Sequence, residues 1–591
     1  MARPSPSVYC RAVRLTGAAP EDPEASGRLL FALALLAGAL LRLVLLGRPD
    51  LFGADEGAWA LGARNLVEGG LPQAVALSDH PLGAPAGTPV LFPVVLSVMV
   101  RVFGAEEWAI RLPSAFAGLI GAFLLERIVR RGWGQPAGHL AGAFAALLPP
   151  LVSASRMAAV EPTLVALGLG GIIFGLRAFE EDLPMEGALA GVLFGLGFLA
   201  KGYAVGLYLA PLLLALAVRP RLFGLGRTAR SLGFLLGAFV LVGSVQLLLV
   251  AFLRPSLFAF QLATLFGASE AAARTASQPT AFGADLKSLV STLFFFLPLG
   301  GLGLAFLSRP VGEAEVESGA TGGPRRLDHG VLWGTFLVEL LAIVAVAGRM
   351  KLSSIPVLPV VAALAGLGAT ALLRLPADPG RRRREAIAAA AGALVVLGAS
   401  ALFVASPVEP LFGGRERPID VTIALLAIAG VGALSTVLAW GGGRRLIGGR
   451  LGLLFVSGLL VAGGIESAHA IRFALLTHRT GAEEAGVEIA PLISASPPDR
   501  PSFRAVERES LEFRLFRTSA SWETLTAPEA LEKEIAGGTM KSWIYAAGAP
   551  PGPLAPPPDV KSVLETFARD VTTEVNARAG RTTGLRVFVR R

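Results

Sequence analysis

Long apolar runs separated by short polar segments fill the chain from residue 28 to residue 467. A helix of roughly 20 apolar residues crosses about 30 Å of bilayer hydrocarbon. By this criterion the pattern predicts about thirteen spans, at 28–46, 111–129, 136–153, 162–179, 186–200, 203–218, 231–252, 288–307, 330–347, 355–373, 386–404, 420–440 and 451–467. The first span lacks a small-residue cleavage site, which favours a retained anchor over a signal peptide. The pattern therefore predicts an all-α polytopic membrane protein.

Arginine clusters in alternate connections predict the orientation of these spans. They lie at 127–131, 219–230, 325–326, 381–384 and 444–450. Since cytoplasmic loops carry an excess of Lys and Arg, the segment 1–27 and these clusters are predicted to be cytoplasmic. This orientation requires that the apolar segment 89–103 does not cross. It is predicted as a juxtamembrane or re-entrant helix in a first outer loop, 47–110.

The segment 469–591 has no run long enough to span, in contrast to the membrane domain at 28–468. Alternating apolar and polar residues predict strands at 511–516, 542–546 and 584–589. Helical patterns occupy 528–535 and 560–577. We expect a small α/β domain outside the membrane, on the periplasmic side of a bacterial cytoplasmic membrane.

Composition narrows the classes of function. Hydrophobic residues make up 53% of the chain and charged residues 16%, which excludes an ordinary soluble domain. The net charge of +9 comes from arginines beside apolar segments, which argues against a nucleic-acid partner. The lone Cys10 excludes an internal disulfide and a cysteine-based metal site.

Several charged residues are predicted to gather on the outer face, where the positive-inside trend does not expect cations. They are Asp55, Glu56, His80, Arg156, Glu161, Lys201, Arg349 and Lys351. Charges beside spans are unfavourable unless they are paired or functional. The set predicts a site for an anionic, lipid-linked substrate.

Asp55 and Glu56 begin a short amphipathic helix whose apolar face includes Ala60 and Ala63. Asp55 is predicted at the N-cap, and capping alone would account for the pair. Alternatively, one carboxylate is a catalytic base. Consecutive helical residues point about 100° apart, so both cannot face one atom. Asp55 is the preferred base, with Trp59 further along the helix as a substrate contact.

Each of the other charged residues admits two interpretations. Glu161 either complements the dipole of the fourth span or supplies a second catalytic carboxylate. Arg156 is either its ion-pair partner or a substrate ligand. Lys201 either extends to the lipid headgroups or binds a phosphate, beside Gly202, and Arg349 and Lys351 admit the same two readings.

The order of these motifs resembles the C-type glycosyltransferases of the family 39 type, which include the bacterial lipid A aminoarabinose transferases and relatives of the protein O-mannosyltransferases. The resemblance rests on Asp55-Glu56, on Val102-Phe103-Gly104 followed by Arg111-Leu112-Pro113-Ser114-Ala115, on Ser155-Arg156 before Glu161, and on the 197–202 and 351–359 segments. It covers nearly the whole chain.

This resemblance implies sugar transfer from a polyprenyl (undecaprenyl) phosphate donor to a lipid, glycan or protein acceptor on the outer face, with inversion. It implies that Asp55 acts on the acceptor, that Glu161 positions a substrate, and that Lys201 with Arg349 or Lys351 stabilises the departing phosphate. Lipopolysaccharide modification is one such activity. Ala58, Trp59 and the 79–89 segment depart from the aminoarabinose pattern, which puts that donor and acceptor in doubt.

No acid-x-acid metal motif stands in the predicted outer loops, so no cofactor is implied. Adjacent carboxylates could still hold one Mg²⁺ ion with waters. The rival hypothesis is a transporter or flippase for an envelope precursor. Transporters favour internal repeats and ionisable groups near the bilayer midplane, which the sequence does not show.

Overall fold

The computed structural model describes residues 23–47, 54–67, 90–104, 106–218, 225–253, 329–350 and 355–373, parts of 456–471, and short segments within 502–590. The predicted spans 288–307, 386–404 and 420–440 lie outside the described residues, as do His80, Lys351 and the predicted elements 511–516 and 528–535.

The described part of the chain from 23 to 373 is helical. Its helices are α1 (Pro23–Leu43), α2 (Ala54–Val67), α3 (Leu91–Phe103), α4 (Glu107–Trp133), α5 (Gln135–Leu147), α6 (Pro149–Ser155), α7 (Val160–Glu180), α8 (Pro184–Lys201), α9 (Gly206–Val218), α10 (Leu225–Gly243), α11 (Val245–Leu253), α12 (His329–Met350) and α13 (Pro359–Leu373). Short 3₁₀ helices, Gly202–Val205 and Ile355–Val357, precede α9 and α13.

Within the described residues, four helical segments are long and apolar enough to cross a bilayer: Glu107–Trp133, Val160–Glu180, Pro184–Lys201 and Thr228–Leu249. The pair α5 and α6, bent by 56° at Leu148, adds a fifth. On α1, leucines 29, 33, 36 and 40 recur about one turn apart and are each more than half exposed. An apolar face of this kind suits contact with lipid, and the chain is a multi-pass membrane protein. The count of thirteen spans stays a prediction.

Glycines bring α8 and α10 into close contact. A Cβ atom at Gly187 would lie 2.7 Å from the carbonyl oxygen of Ser231, and one at Gly191 would lie 2.1 Å from that of Leu235. Small residues four apart let two membrane helices approach backbone to backbone. This contact fixes the position of α8, whose last residue is Lys201.

The segment predicted not to cross forms the short helix α3. Its 13 residues span only about 20 Å at 1.5 Å per residue, which is too short for the hydrocarbon core. It packs against α2, and Arg101 Nη2 donates to the carbonyl oxygen of Leu66, 3.3 Å away, at the end of α2. The predicted helix is confirmed as α3, and its place in a first outer loop stays a prediction.

Four short strands lie in the tail: β1 (Ser502–Arg504), β2 (Trp543–Gly548), β3 (Ala568–Asp570) and β4 (Leu585–Arg590). They form one sheet in the order β1-β2-β4-β3, in which only β1 and β2 are parallel. The strands predicted at 542–546 and 584–589 are confirmed as β2 and β4.

The helix predicted at 560–577 is wrong at β3, where Ala568 pairs with Arg590 and Asp570 with Phe588. Pairing with a neighbouring strand overrides local helical preference there. Strand β1 was not predicted. The rest of the α/β domain stays a prediction.

Candidate active site

The helices α2 and α3 rest on one end of the bundle. Ala60 and Ala63 of α2 are buried with Phe92 and Leu96 of α3, as the amphipathic pattern of α2 predicted. The same apolar cluster contains Ile110 of α4, Ala158 and Val160 at the start of α7, and Ala200 at the end of α8. This end of the bundle, where α2 and α3 meet the start of α7 and the end of α8, is hereafter the loop-facing end.

Glu56 is buried in this arrangement. Its carboxylate forms two parallel bonds with Arg111 of α4, at 2.7 Å from Nε to Oε1 and 3.0 Å from Nη2 to Oε2. Neither side chain is exposed. Oε1 also accepts the backbone N–H of Ala158 at 2.8 Å, and Arg111 Nη1 donates to the carbonyl oxygen of Leu46 at 2.9 Å. Glu56 therefore joins α2, α4 and the segment that precedes α7.

Ser114, one turn beyond Arg111, holds the same segment. Its hydroxyl donates to the carbonyl oxygen of Ala159 at 2.8 Å and accepts the N–H of Ala159 at 3.2 Å. In the Arg-Leu-Pro-Ser motif, Ser114 thus bonds Ala159 directly, while Arg111 holds the carboxylate of Glu56 that accepts from Ala158. Upstream, Gly104 ends α3 with a φ of 88°, a conformation that favours glycine.

Glu161 and Lys201 form an ion pair at the loop-facing end. Glu161 lies in the first turn of α7, and Lys201 is the last residue of α8. Their side chains keep 16% and 31% exposure, so a solute can reach them. Gly202 follows with a φ of 52° and lets the chain reverse directly after Lys201. The structure thus brings together two residues that the sequence placed on separate elements.

Arg156 is not the partner of Glu161, and the predicted ion pair between them is wrong. Its guanidinium donates to the carbonyl oxygens of Leu41, Val44 and Leu45, at the end of α1. Carbonyls at a helix C-terminus lack helical partners and accept from a cation there, while the carboxylate of Glu161 is paired with Lys201. Burial, and to a smaller extent the charge of Arg111, lowers the pKa of Arg156 to about 10, so it remains cationic at neutral pH.

The segment after α12 also reaches this region. The 3₁₀ helix Ile355–Val357 packs on α6 and α7. Pro359 lines a small cavity together with Ser155 of α6 and Pro162 of α7. The backbone of residues 355–359 therefore lies beside the start of α7, close to Glu161 in the chain.

The structure also gives the positions of three further predicted site residues, Asp55, Trp59 and Arg349. Asp55 is the second residue of α2, not its N-cap, because the helix begins at Ala54. Trp59 is half-buried and packs edge-on against Phe92 with ring centroids 5.5 Å apart. Arg349 lies in the last turn of α12. Among the described residues no three His, Cys, Asp or Glu side chains form a group that could hold a metal ion.

Arg111 and Ser114 had no predicted role, although their motif contributed to the resemblance. The available signal was a charged residue at the edge of an apolar span, which is unfavourable without a partner. The sequence could not identify Glu56 as that partner, 55 residues away.

Comparison with known proteins bears on the fold that carries this site. Residues 87–248 match the family described as dolichyl-phosphate-mannose-protein mannosyltransferase. The structure is similar to that of ArnT from Cupriavidus metallidurans in the apo state, with a TM-score of 0.60 and 18% identity over 95% of this chain and 97% of that one. The chain has the fold of a C-type glycosyltransferase.

The same enzyme bound to undecaprenyl phosphate gives a TM-score of 0.56 at 18% identity, with 95% of this chain and 97% of that chain covered. The Bacillus subtilis protein named "Putative mannosyltransferase YycA" is 34% identical over 112 residues, which is 18% of this chain and 16% of that protein. The chain therefore matches only a small part of this relative. The resemblance inferred from the motif order is confirmed as a shared C-type fold.

Proposed function

We propose that the protein is a glycosyltransferase that moves a sugar from a polyprenyl-phosphate donor to a lipid, glycan or protein acceptor on the outer face of a bacterial cytoplasmic membrane. The partly exposed pair of Glu161 and Lys201, at the end of the bundle on which the helix with Asp55 rests, is the observation that carries the proposal. The mannosyltransferase match and the solved complex of ArnT with undecaprenyl phosphate support this substrate class.

In the proposed reaction, an acceptor hydroxyl attacks the anomeric carbon of the sugar while the bond from that carbon to the phosphate oxygen breaks. Asp55 takes the hydroxyl proton, and the polyprenyl phosphate leaves with the bonding electrons. A single displacement of this kind inverts the anomeric carbon. Base catalysis by a positioned carboxylate contributes roughly 10²–10⁴-fold to such a step.

Lys201 supplies the positive charge for the departing phosphate. Its ammonium is held by Glu161 before the substrate binds and is exposed enough to exchange that partner for a phosphate oxygen. A carboxylate released in this way can accept a sugar hydroxyl, which is the positioning role we assign to Glu161. Arg349, in the last turn of α12, and Lys351, which follows that helix in the sequence, add charge.

The test is transfer of radiolabelled sugar from a polyprenyl-phosphate donor by the purified protein, with extracted envelope lipids as acceptor. We expect transfer by the wild type and at least a 10²-fold loss in Asp55→Asn, with unchanged expression and thermal stability. Wild-type rates in Asp55→Asn would refute the base assignment. Movement of the donor across sealed vesicles without a new covalent product would favour a transporter instead.

A further inference from the structure

We infer that Glu56 and Arg111 are positioning residues, whose buried ion pair fixes the α2 backbone at Asp55 relative to the segment that leads to Glu161. The inference rests on the proposed function, because it concerns the geometry of that reaction. It departs from the sequence-based prediction, which counted Glu56 among the catalytic groups.

The burial of the pair argues against direct catalysis by Glu56. Its side chain and that of Arg111 have no exposed surface, and both carboxylate oxygens accept from the guanidinium. A fork of two charge-assisted bonds fixes orientation as well as distance. An acceptor hydroxyl would have to displace Arg111 before reaching either oxygen.

The pair connects the two segments that carry the proposed reactive groups. Asp55 precedes Glu56 directly on α2, so a fixed Glu56 also fixes the backbone of Asp55. On the other side, Glu56 Oε1 accepts from Ala158, three residues before Glu161. Ser114 adds two bonds to Ala159, so that segment is held at two successive residues.

This geometry matters because reacting groups tolerate little displacement. A shift of about 1 Å in a positioned group can lower the rate roughly 10²-fold. Lysine keeps the charge of arginine but cannot make two parallel bonds with a carboxylate. Arg111→Lys therefore loosens the link between Asp55 and Glu161 without removing a charge or touching either residue.

Helix α4 also offers a matched control. Arg131, near its other end, donates to the carboxylates of Glu180 at 2.6 Å and Glu181 at 2.7 Å. Arg131→Lys makes the same chemical change in the same helix, away from Glu56. Both variants are expected to fold, because each retains its positive charge.

The experiment measures kcat, donor KM and the pH–rate profile of the purified variants in the sugar-transfer assay. For Arg111→Lys we expect kcat to fall roughly 10–100-fold with donor KM changed less than about 3-fold. The acidic limb of the profile, which reports the base, should stay at the wild-type pH. Arg131→Lys should retain wild-type kcat. Ser114→Ala, a milder change to the same link, should lose kcat about 3–10-fold.

Three results would overturn the inference. Wild-type kcat in Arg111→Lys would show that the pair does not set the reactive geometry. Equal losses in Arg111→Lys and Arg131→Lys, in proportion to thermal stability, would show a general structural role. If Glu56→Gln lost the acidic limb of the pH–rate profile and Asp55→Asn kept it, Glu56 would be the catalytic base. Absence of transfer by the wild type would instead refute the proposed function and the inference together.

Discussion

The antiparallel helices α7 and α8 carry an ion pair at each end of their contact. At the loop-facing end, Glu161 begins α7 and Lys201 ends α8, with 16% and 31% of their side chains exposed. At the opposite end, Arg177 and Glu186 are bonded at 2.9 Å, with 38% and 17% exposed. The two pairs are alike in burial and in helical position. What differs is the structure around them.

At the opposite end, the acidic side chains are paired with nearby arginines. Arg131 bonds to both Glu180 and Glu181, and Arg177 lies 3.8 Å from Glu181 as well. The predicted orientation places the connection between α7 and α8 in the cytoplasm, where basic residues are expected, although Glu180, Glu181 and Asp182 outnumber Arg177 there. Within the described residues Glu180 and Glu181 are paired with arginines of α4 and α7, so they conflict little with that orientation.

The loop-facing end instead borders on α2 and on the segment that follows α12. The buried ion pair of Glu56 and Arg111 connects α2 with α4. The pair of Glu161 and Lys201 is partly exposed and remains accessible to a solute. Exposure and burial alone therefore do not distinguish the two ion pairs between α7 and α8, whereas the segments beside them do.

The largest expected difference between the two ends concerns stability. Arg111→Ala leaves the carboxylate of Glu56 buried without its partner, which we expect to destabilise the protein by about 3–5 kcal/mol. Arg177→Ala leaves the carboxylates of Glu181 and Glu186, which keep 42% and 17% exposure, in contact with solvent, and should destabilise by about 1 kcal/mol or less. Thermal unfolding in one detergent measures both. Equal losses would remove the distinction between the buried link and the solvated pairs.

The next largest expected effect is on activity, and it distinguishes the pair of Glu161 and Lys201 from the pair of Arg177 and Glu186. Lys201→Gln removes the charge proposed for the departing phosphate and should lower kcat roughly 10²–10³-fold, the effect of deleting one transition-state donor. Arg177→Gln is the matched control, and its kcat should equal that of the wild type. Sugar-transfer rates at saturating donor provide the measurement. A comparable loss in Arg177→Gln would assign both pairs to folding.

Reversing each ion pair should have the smallest effect on stability. In the double variant Glu161→Lys with Lys201→Glu, the free energy of unfolding should lie within about 1 kcal/mol of the wild-type value, but sugar transfer should remain as low as in Lys201→Gln. The exchange Arg177→Glu with Glu186→Arg should restore stability and preserve transfer. Recovery of transfer in the first double variant would mean that the order of the charges, and so the proposed phosphate contact, is irrelevant.

Local patterns were sufficient for much of the fold. Apolar run length predicted the helices α4, α7 and α8, and the predicted short helix at 89–103 is α3, whose failure to cross stays a prediction. The paired strands β2 and β4 followed from alternation. Strand β3 did not, because its conformation depends on a partner about 20 residues away, Leu585–Arg590.

The sequence predicted which residues form the candidate site and that they share one face of the membrane domain. It did not predict which side chains contact each other. Unusual charge beside a span identified Glu161 and Lys201, since such charges are unfavourable without a purpose. The contact between them depends on how α7 packs on α8. In the same way, Arg156 contacts α1 and Glu56 contacts Arg111 through tertiary packing that no local spacing encodes.

The most direct test of the central claim is mass spectrometry of the envelope lipids and glycans from three strains. These strains produce the wild-type protein, Asp55→Asn or Arg177→Gln at equal levels. The account predicts a sugar-bearing product in the wild-type and Arg177→Gln strains, and its loss, with accumulation of polyprenyl-phosphate sugar, in the Asp55→Asn strain. Identical lipid and glycan profiles in all three strains would contradict it.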